Sequence, residues 1–267
     1  MTGRIDLGGH ALNTQVDGPV DAPWIVLANS LGTNLTMWNQ QMPMLTRHFR
    51  VLRYDTRGHG GSDTPPGPWS FDDFTGDVIA LMDHFGIDRC AFMGLSMGGM
   101  TGLGLALVHP NRFDRVVCAD ARADAPAAFR QMWDERIARV RANGLQAIVE
   151  GTMSSWFTED WLTVKTGVES DIRAMILGND PVGYVACCDA LKKLDYLRQL
   201  GEVGCPILYV GGDQDKGASP DVMAQMAART PDGRYQTIEG AAHLANCNNP
   251  AIFNDIVEGF LNKVGAG

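Results

Sequence analysis

The chain has 267 residues, of which 45% are hydrophobic and 20% charged, and it carries a formal net charge of −9 at pH 7. This composition is typical of a globular protein and excludes disordered, collagen-like and fibrous classes. Because the chain is acidic and has no run of Lys or Arg, we expect it to bind neither nucleic acid nor an anionic membrane surface. Its length suits one large domain or one domain that carries an insertion.

The cysteine pattern predicts a cytoplasmic location, and so does the lack of a predicted signal peptide or membrane segment. None of the six cysteines forms a C-x-x-C pair, so we expect reduced, buried thiols and neither a disulfide nor a metal site. Residues 1–6 lack the apolar stretch of a signal peptide. Residues 90–108 carry no charge and are long enough to span a membrane, but five glycines divide this run into a strand, a turn and a helix. We therefore predict no membrane segment.

Short apolar runs alternate with helical patterns along most of the chain. Ser70 and Asp73 predict a capping box at a helix start, and Pro220 and Pro250 occupy plausible first helical positions. The central runs are continuously apolar, as in parallel strands that are buried on both faces. The pattern predicts an α/β fold with a mostly parallel sheet flanked by helices. The predicted strands are 24–28, 50–54, 90–94, 115–119, 207–211 and 235–239, with a weaker antiparallel edge around Ile5 and at 11–16.

The segment 125–200 has a different pattern from the rest of the chain. Phe129, Trp133 and Ile137 recur at helical spacing, and no convincing strand is present. We predict that residues 1–124 and 201–267 form the α/β body and that residues 125–200 form an all-helical lid. Such a lid is expected over the carboxyl edge of the sheet, where open α/β sheets bind their ligands.

The strongest chemical motif is Gly94-Leu-Ser96-Met-Gly98, which lies between a predicted strand and an apolar helical run. A strand, a sharp turn and a helix form the context of a nucleophile elbow, in which glycines make room for a strained serine. Ser96 is therefore predicted to be the nucleophile. The Met97 N–H, at the start of the helix, is predicted to stabilise an oxyanion. The alternative is a Gly-rich turn without chemistry.

A serine hydroxyl needs a base that takes its proton, and the chain has six histidines. His243 follows the last predicted strand at the carboxyl edge of the sheet and is predicted to be this base. His59 lies in a Gly-rich loop and is predicted to build the wall of the site. The others are expected at the surface or at the edge of the fold: His10, His48, His84 and His109.

The third member of a Ser-His-acid triad is expected after the strand at 207–211, where the chain offers Asp213 and Asp215. One carboxylate would orient the imidazole and the other would be a solvated loop residue. We favour Asp215, because it lies far enough beyond the strand to turn back toward His243. The choice between the two stays open at this point, and replacement of each by Asn would decide it.

The order Ser96, Asp215, His243 resembles that of the α/β-hydrolase fold family. The elbow, the loop at 57–63, the late Asp and the late His span nearly the whole chain. In this fold the second oxyanion donor comes from the loop after the strand at 24–28, which implies the Leu31 N–H. Most relatives carry His-Gly at the positions that Asn29 and Ser30 occupy here.

A narrower resemblance is to the 3-oxoadipate enol-lactonases of aromatic catabolism. The chain departs from that family's usual Asn-Thr-Ala pattern at residues 120–124, where it reads Asp-Ala-Arg-Ala-Asp in a region expected to face the substrate. The resemblance rests on Asn29-Ser-Leu-Gly-Thr, Met37-Trp38, Phe49-Arg-Val-Leu-Arg-Tyr-Asp-Thr-Arg-Gly-His-Gly, Ser62-Asp-Thr-Pro-Pro-Gly-Pro, Gly94-Leu-Ser-Met-Gly-Gly-Met, Trp133-x-x-Arg136-Ile and Gly183-Tyr-Val-Ala-Cys-Cys-x-Ala-Leu.

The resemblance implies a cofactor-free serine hydrolase, a carboxylic ester hydrolase that opens an enol-lactone ring through an acyl-enzyme. Such a substrate carries a carboxylate, and we predict Arg136 as its partner, although a solvated helix charge is the alternative for this residue. An arginine in the lid would let an acidic protein accept an anionic ligand. Trp133 and Trp156 are predicted to contact the substrate. For Trp156, and for Trp161 as a further candidate, the core of the lid is the alternative. Further candidate cations in or near the lid are Arg122, Arg130 and Arg139.

Several alternatives remain at the level of the sequence. A broad-specificity carboxylesterase, a carbon–carbon bond hydrolase or a cofactor-free haloperoxidase would use the same triad. A ligand receptor of the same fold would bind a lactone and signal through movement of the lid, with a single slow turnover. The Gly-rich loop at 57–61 resembles a phosphate cradle but lacks the Lys-Ser/Thr of a P-loop. The natural substrate and the oligomeric state are left open.

Overall fold

The computed structural model describes residues 2–164 and 166–262 of the chain. The strands are β1 (Thr2–Asp6), β2 (Ala11–Asp17), β3 (Trp24–Ala28), β4 (Arg50–Tyr54), β5 (Cys90–Leu95), β6 (Phe113–Ala119), β7 (Ile207–Gly212) and β8 (Gly233–Ile238). The α-helices are α1 (Met42–Leu45), α2 (Phe71–His84), α3 (Met97–Val108), α4 (Ala127–Asn143), α5 (Val149–Trp156), α6 (Glu159–Thr163), α7 (Val168–Leu177), α8 (Pro181–Leu191), α9 (Pro220–Arg229), α10 (Ala245–Asn248) and α11 (Pro250–Leu261).

The strands form one sheet in the order β1-β2-β4-β3-β5-β6-β7-β8. Strand β2 is antiparallel to β1 and β4, and the other neighbours pair in parallel. The predicted α/β fold, a mostly parallel sheet with an antiparallel N-terminal edge, is confirmed. Because β3 has β4 on one side and β5 on the other, the connections after β3 and β5 leave in opposite directions. Ligands of open α/β sheets bind at such a crevice.

Alternating side chains of the central strands enter two hydrophobic clusters, one on each face of the sheet. In β5, Cys90 and Phe92 belong to one cluster, whereas Ala91, Met93 and Leu95 belong to the other. This alternation follows from the two-residue period of a strand. Helices α2, α3 and α9 contribute buried residues to the first cluster, and α1 and α11 contribute to the second. Both faces of the sheet are therefore covered, which explains why these strands are apolar throughout.

The connection between β6 and β7 contains α4 to α8, and within its described residues it holds no strand. Its only strand-like pairing there is an isolated bridge between Asp195 and Asp124. Helix α4 packs against α8, and α5 packs against α7. We call residues 125–200 the helical segment; that it acts as a lid, with these boundaries, remains a prediction.

Most element boundaries lie close to the predicted ones. Helices α9 and α11 begin at Pro220 and Pro250, and the Ser70 N–H donates to Asp73 Oδ2 over 2.8 Å at the start of α2. Strand β8 ends at Ile238, one residue before the predicted end. All six cysteines are buried and unpaired. No described helix is long and apolar enough to cross a membrane, and no cluster of three or more metal-binding side chains occurs in residues 2–164 and 166–262.

Candidate active site

Ser96 lies between β5 and α3 in a backbone conformation that few non-glycine residues adopt. Its φ and ψ are 55° and −116°, and strain of this kind costs on the order of 1–3 kcal/mol. The surrounding backbone holds it: the Ser96 N–H donates to Ala119 O in β6 over 2.8 Å, and the Met100 N–H donates to Ser96 O over 2.9 Å. The predicted strand, turn and helix are therefore present, with the serine at the turn.

The glycines on either side of Ser96 are required by close backbone contacts. A Cβ atom on Gly94 would lie 2.1 Å from Gly98 O, and a Cβ atom on Gly98 would lie 2.1 Å from Ala28 O. Neither contact is possible for a real side chain. The two glycines thus let α3 begin directly against β5 and the end of β3, which brings Ser96 to the carboxyl edge of the sheet.

His243 follows β8 and connects Ser96 with Asp215 through two hydrogen bonds. Its Nε2 lies 2.9 Å from Ser96 Oγ, and its Nδ1 lies 2.8 Å from Asp215 Oδ2. Because an ionised carboxylate can only accept hydrogen bonds, Nδ1 carries the proton and donates a hydrogen bond to Asp215. Nε2 is then available to accept a hydrogen bond from the Ser96 hydroxyl. The three residues predicted as nucleophile, base and acid are therefore in contact in that order.

The environment of Asp215 favours its ionised form. Burial raises the pKa of this carboxyl, but the charge and hydrogen bond of His243 and two backbone N–H groups together hold the pKa below its ordinary value. The backbone donors are Gly217, at 2.7 Å from Oδ1, and Ala218, at 3.2 Å. Asp213, the alternative acid, is exposed, and its Oδ1 accepts the Ala241 N–H over 3.2 Å instead of contacting the imidazole. The geometry thus favours Asp215.

The imidazole of His243 is partly buried and lies near several charged groups. Burial by itself lowers the pKa of His243, but the charge of Asp215, the hydrogen bond to Asp215 and the charge of Asp120 outweigh it, and Arg136 opposes them only in part. The pKa of His243 therefore lies above its ordinary value. Since a general base must be neutral, His243 in its predicted role is expected to need a higher pH for full activity than an isolated imidazole would.

The two backbone donors predicted for the oxyanion come from different parts of the α/β body. Leu31 is in the loop after β3, and Met97 begins α3. The Gly98 N–H donates to Asn29 O over 3.1 Å, which holds this loop against the start of α3. Within residues 2–164 and 166–262, neither the Leu31 N–H nor the Met97 N–H has an acceptor. Both remain available for a ligand, in agreement with the predicted role.

The loop with Leu31 is held by contacts that sequence reasoning missed. The Gly32 N–H donates to His59 Nε2 over 2.9 Å, and Asn179 Nδ2 donates to Gly32 O over 2.8 Å. His59 Nδ1 lies 3.2 Å from Arg57 O, so this nitrogen carries the proton, and burial lowers the pKa of His59. His59 does not line the cavity described next, so its predicted place in the site wall is corrected: it supports the loop from behind.

A cavity that is open to solvent lies over Ser96 and His243. Trp133, Arg136 and Trp156 all line it, as predicted. Its wall combines strand-end loops with the helical segment and consists of Ser30, Leu31, Ser96, Met100, Asp120, Arg122, Phe129, Met132, Trp133, Arg136, Thr152, Ser155, Trp156, Tyr184, Leu191, Asp215, Gly217, Ala218 and His243.

The two arginines that line the cavity differ in their partners. Arg122 Nη2 lies 3.0 Å from Asp124 Oδ1, so its charge is neutralised locally. Arg136 donates from Nε to the Tyr184 hydroxyl over 2.7 Å and from Nη2 to the Thr152 hydroxyl, both of which are neutral. No described carboxylate forms an ion pair with Arg136. Of the four candidate cations, Arg136 is therefore the one that lines the cavity with an unneutralised charge.

Known proteins resemble this chain over nearly its whole length. The family model for the alpha/beta hydrolase fold matches residues 23–250. A protein of Acinetobacter baylyi named 3-oxoadipate enol-lactonase 2 is 36% identical over 253 residues, which are 95% of this chain and 94% of that protein. The crystal structure of an enol-lactonase from Burkholderia xenovorans LB400 is 36% identical, has a TM-score of 0.94 and covers 98% of this chain and 100% of its own.

A relative with a different name is also found. A protein of Caulobacter segnis, provisionally named carbamate hydrolase RutD, is 28% identical over 241 residues, which are 89% of this chain and 90% of that protein. The relatives of this chain therefore include proteins named for the hydrolysis of lactones and a protein named for the hydrolysis of carbamates. Both bonds join an acyl carbon to a heteroatom leaving group.

Proposed function

Because the chain belongs to the α/β-hydrolase fold family and is a carboxylic ester hydrolase, we propose that it opens an enol-lactone of the 3-oxoadipate enol-lactone type through an acyl-enzyme at Ser96. One observation carries this proposal: the hydrogen-bonded series Asp215, His243, Ser96 lies in a cavity that also contains the unneutralised Arg136. The enol-lactonase relatives support the same substrate class.

In the first step the Ser96 oxygen attacks the lactone carbonyl carbon while the hydroxyl proton passes to His243 Nε2. Asp215 stabilises the imidazolium through its hydrogen bond to Nδ1. The carbonyl oxygen becomes an oxyanion, which the Leu31 and Met97 N–H groups stabilise. The loss of one such donor typically costs about 2.7–4 kcal/mol of transition-state stabilisation.

The tetrahedral intermediate then breaks the bond between the acyl carbon and the ring oxygen. This oxygen leaves as an enolate, takes the proton from the imidazolium, and the resulting enol tautomerises to a ketone. Because the ring connected both parts of the substrate, the opened chain stays attached to Ser96. Water then attacks the acyl carbon and gives a proton to His243; collapse breaks the Ser96 ester bond, returns that proton to Ser96 and releases a carboxylic acid.

Arg136 is the proposed partner of the substrate carboxylate. It lies one helical turn beyond Trp133 in α4, and Tyr184 and Thr152 hold its guanidinium in place. A fixed cation without an acidic partner gains most from a bound anion, because its hydrogen bonds to a carboxylate are stronger than those to neutral hydroxyls. Trp133 and Trp156 supply apolar area on the same wall.

The test compares kcat/KM for 3-oxoadipate enol-lactone with kcat/KM for short p-nitrophenyl esters and a p-nitrophenyl carbamate. We expect repeated turnover of the lactone, favoured by a factor of about 10–150, which corresponds to the 1.5–3 kcal/mol of a hydrogen bond to a charged group. The Ser96→Ala variant should lose activity by a factor of about 10³–10⁶ on every substrate.

Other outcomes contradict the proposal in identifiable ways. Equal efficiency on lactone and neutral ester would indicate a broad-specificity carboxylesterase. Preference for the carbamate would indicate the activity for which the Caulobacter relative is named. A single slow turnover would indicate a ligand receptor of the same fold, and Ser96→Ala with full activity would exclude the acyl-enzyme itself.

A further inference from the structure

Asp120, directly after β6, is a buried acid that the mechanism above does not use. Its side chain is fully buried, at 0% exposure, and its φ of 43° makes it, with Ser96, one of two described non-glycine residues in the positive-φ region. No described side chain forms an ion pair with it. A buried carboxyl without a cation is costly, and so is a strained backbone. Both occur in the wall of the cavity, beside the candidate triad.

The carboxyl of Asp120 connects the two segments that carry Asp215 and His243. Its Oδ1 accepts the Gly212 N–H over 2.9 Å at the end of β7, and Gly212 O in turn accepts the Asp215 N–H over 3.3 Å. Its Oδ2 accepts the Ala245 N–H over 3.3 Å, two residues after His243. One side chain thus holds the loop of the acid and the turn of the base at a fixed distance from each other.

We propose that Asp120 is a positioning residue for His243: it holds the imidazole toward Ser96 through the Ala245 turn and places a second carboxyl near it. Asp120 acts through the imidazole and does not need to contact the substrate. The role is therefore independent of whether the natural substrate is a lactone, another ester or a carbamate.

The charges around the two side chains give the direction of this effect. Burial and the charge of Asp215 raise the pKa of Asp120 well above its ordinary value, whereas His243 and two backbone N–H groups oppose this rise. The charge of Asp120 contributes in turn to the raised pKa of His243. The carboxyl therefore ionises most readily when the imidazole is positively charged, which is the state formed when His243 takes the Ser96 proton.

Few other titratable groups face this pair. Burial raises the pKa of the Cys118 and Cys247 thiols and of the Tyr235 hydroxyl, so these groups stay neutral over the pH range of activity. The charge of Arg136 acts on His243 and lowers the pKa of the imidazole in part. A pH-dependent difference caused by a change at Asp120 is therefore expressed through His243 and Asp215.

The test measures kcat/KM against pH for Asp120→Asn with a p-nitrophenyl ester. Asn keeps the size of the side chain but removes the charge and one of the two acceptors, because its amide nitrogen cannot accept a backbone N–H. Without the charge His243 stays neutral to lower pH, so the acidic limb of the profile should move down by about one pH unit, the usual size of a nearby charge effect. Asp213→Asn is the matched control. Asp213 also accepts a backbone N–H beyond β7, but it is exposed. The acidic limb of the pH profile of Asp213→Asn should therefore coincide with that of the wild type.

A second measurement separates this role from a purely structural one. NMR titration of the His243 imidazole in a Ser96→Ala background, with and without Asp120→Asn, reports the same pKa without turnover. We expect a downward shift equal to that of the kinetic limb, and Asp120→Ser, a smaller replacement that is also uncharged, should repeat it in case the Asn variant does not fold. An unshifted imidazole in a folded variant would overturn the proposal, even if activity fell, and it would leave the proposed lactonase function untouched.

Discussion

The cavity is built by two regions that are held together in different ways. In the α/β body, backbone contacts position the candidate chemistry: the Ser96 elbow is fixed by hydrogen bonds to neighbouring strands and by glycines with no room for a Cβ atom. In the helical segment, side chains position each other, as Tyr184 and Thr152 do for Arg136. From this contrast we predict that reaction type depends on the body and that substrate choice depends on the helical segment.

The largest effect expected from this comparison concerns Asp215 in the body. Asp215→Asn should lower kcat by about 10⁴-fold, because an amide cannot stabilise the imidazolium and favours the wrong imidazole tautomer. Steady-state kinetics on any ester substrate measures this loss. Asp213→Asn, two residues away, should leave kcat near the wild-type value. A greater loss from Asp213→Asn would show that the wrong carboxylate has been assigned.

The body was largely predictable from sequence because its constraints are local in the chain. Continuous apolar runs predict the central strands, and Gly94, Ser96 and Gly98 predict the elbow within five residues. His243 follows from its place after the last strand. The choice between Asp213 and Asp215 depended on how the loop after β7 turns, and this turn is set by the Gly217 and Ala218 N–H groups that bind Asp215.

Contacts between distant segments were not predictable in the same way. No sequence pattern indicates a role for Asn179, because its hydrogen bond to Gly32 O joins residues 147 positions apart. The bridge that Asp120 makes to Ala245 spans 125 positions. In both cases the side chain itself is common, and its importance depends on backbone groups that only the folded chain brings within hydrogen-bond distance. The departure at residues 120–124 is visible in the sequence, whereas its link to His243 is visible only in the fold.

The next largest effect is expected for Arg136 in the helical segment. Arg136→Met should raise KM for the anionic lactone by about 10–150-fold, the equivalent of one hydrogen bond to a charged group. KM for a neutral p-nitrophenyl ester should stay near the wild-type value, because such an ester has no carboxylate to bind. Paired measurements of both substrates on the same preparation provide the test.

Arg139→Gln is the control for this change. Arg139 lies in the same helix but is exposed and does not line the cavity, so neither KM should respond. Equal changes in both KM values for Arg136→Met would mean that Arg136 supports the packing of the helical segment instead of binding an anion. The division of roles between the two regions would then lose its main support.

The smallest effect tests where this division ends, at Gly32, whose backbone both regions hold. The body binds the Gly32 N–H through His59, and the helical segment binds the Gly32 carbonyl through Asn179. Because Leu31 directly precedes Gly32, loss of either contact should loosen the Leu31 N–H, a proposed oxyanion donor. We expect His59→Leu and Asn179→Leu each to lower kcat by about tenfold, a fraction of the 10²–10³ that removal of a whole donor costs.

The controls for this prediction use the chemistry of the two contacts. His59→Gln keeps an acceptor for the Gly32 N–H and should recover most of the lost kcat, whereas KM should change little in any of these variants. If His59→Leu lowers kcat and Asn179→Leu does not, the helical segment serves substrate choice alone. If both lower kcat alike, the segment also holds part of the proposed oxyanion site, and exchanging it between relatives would alter the rate of the chemical step as well as the substrate.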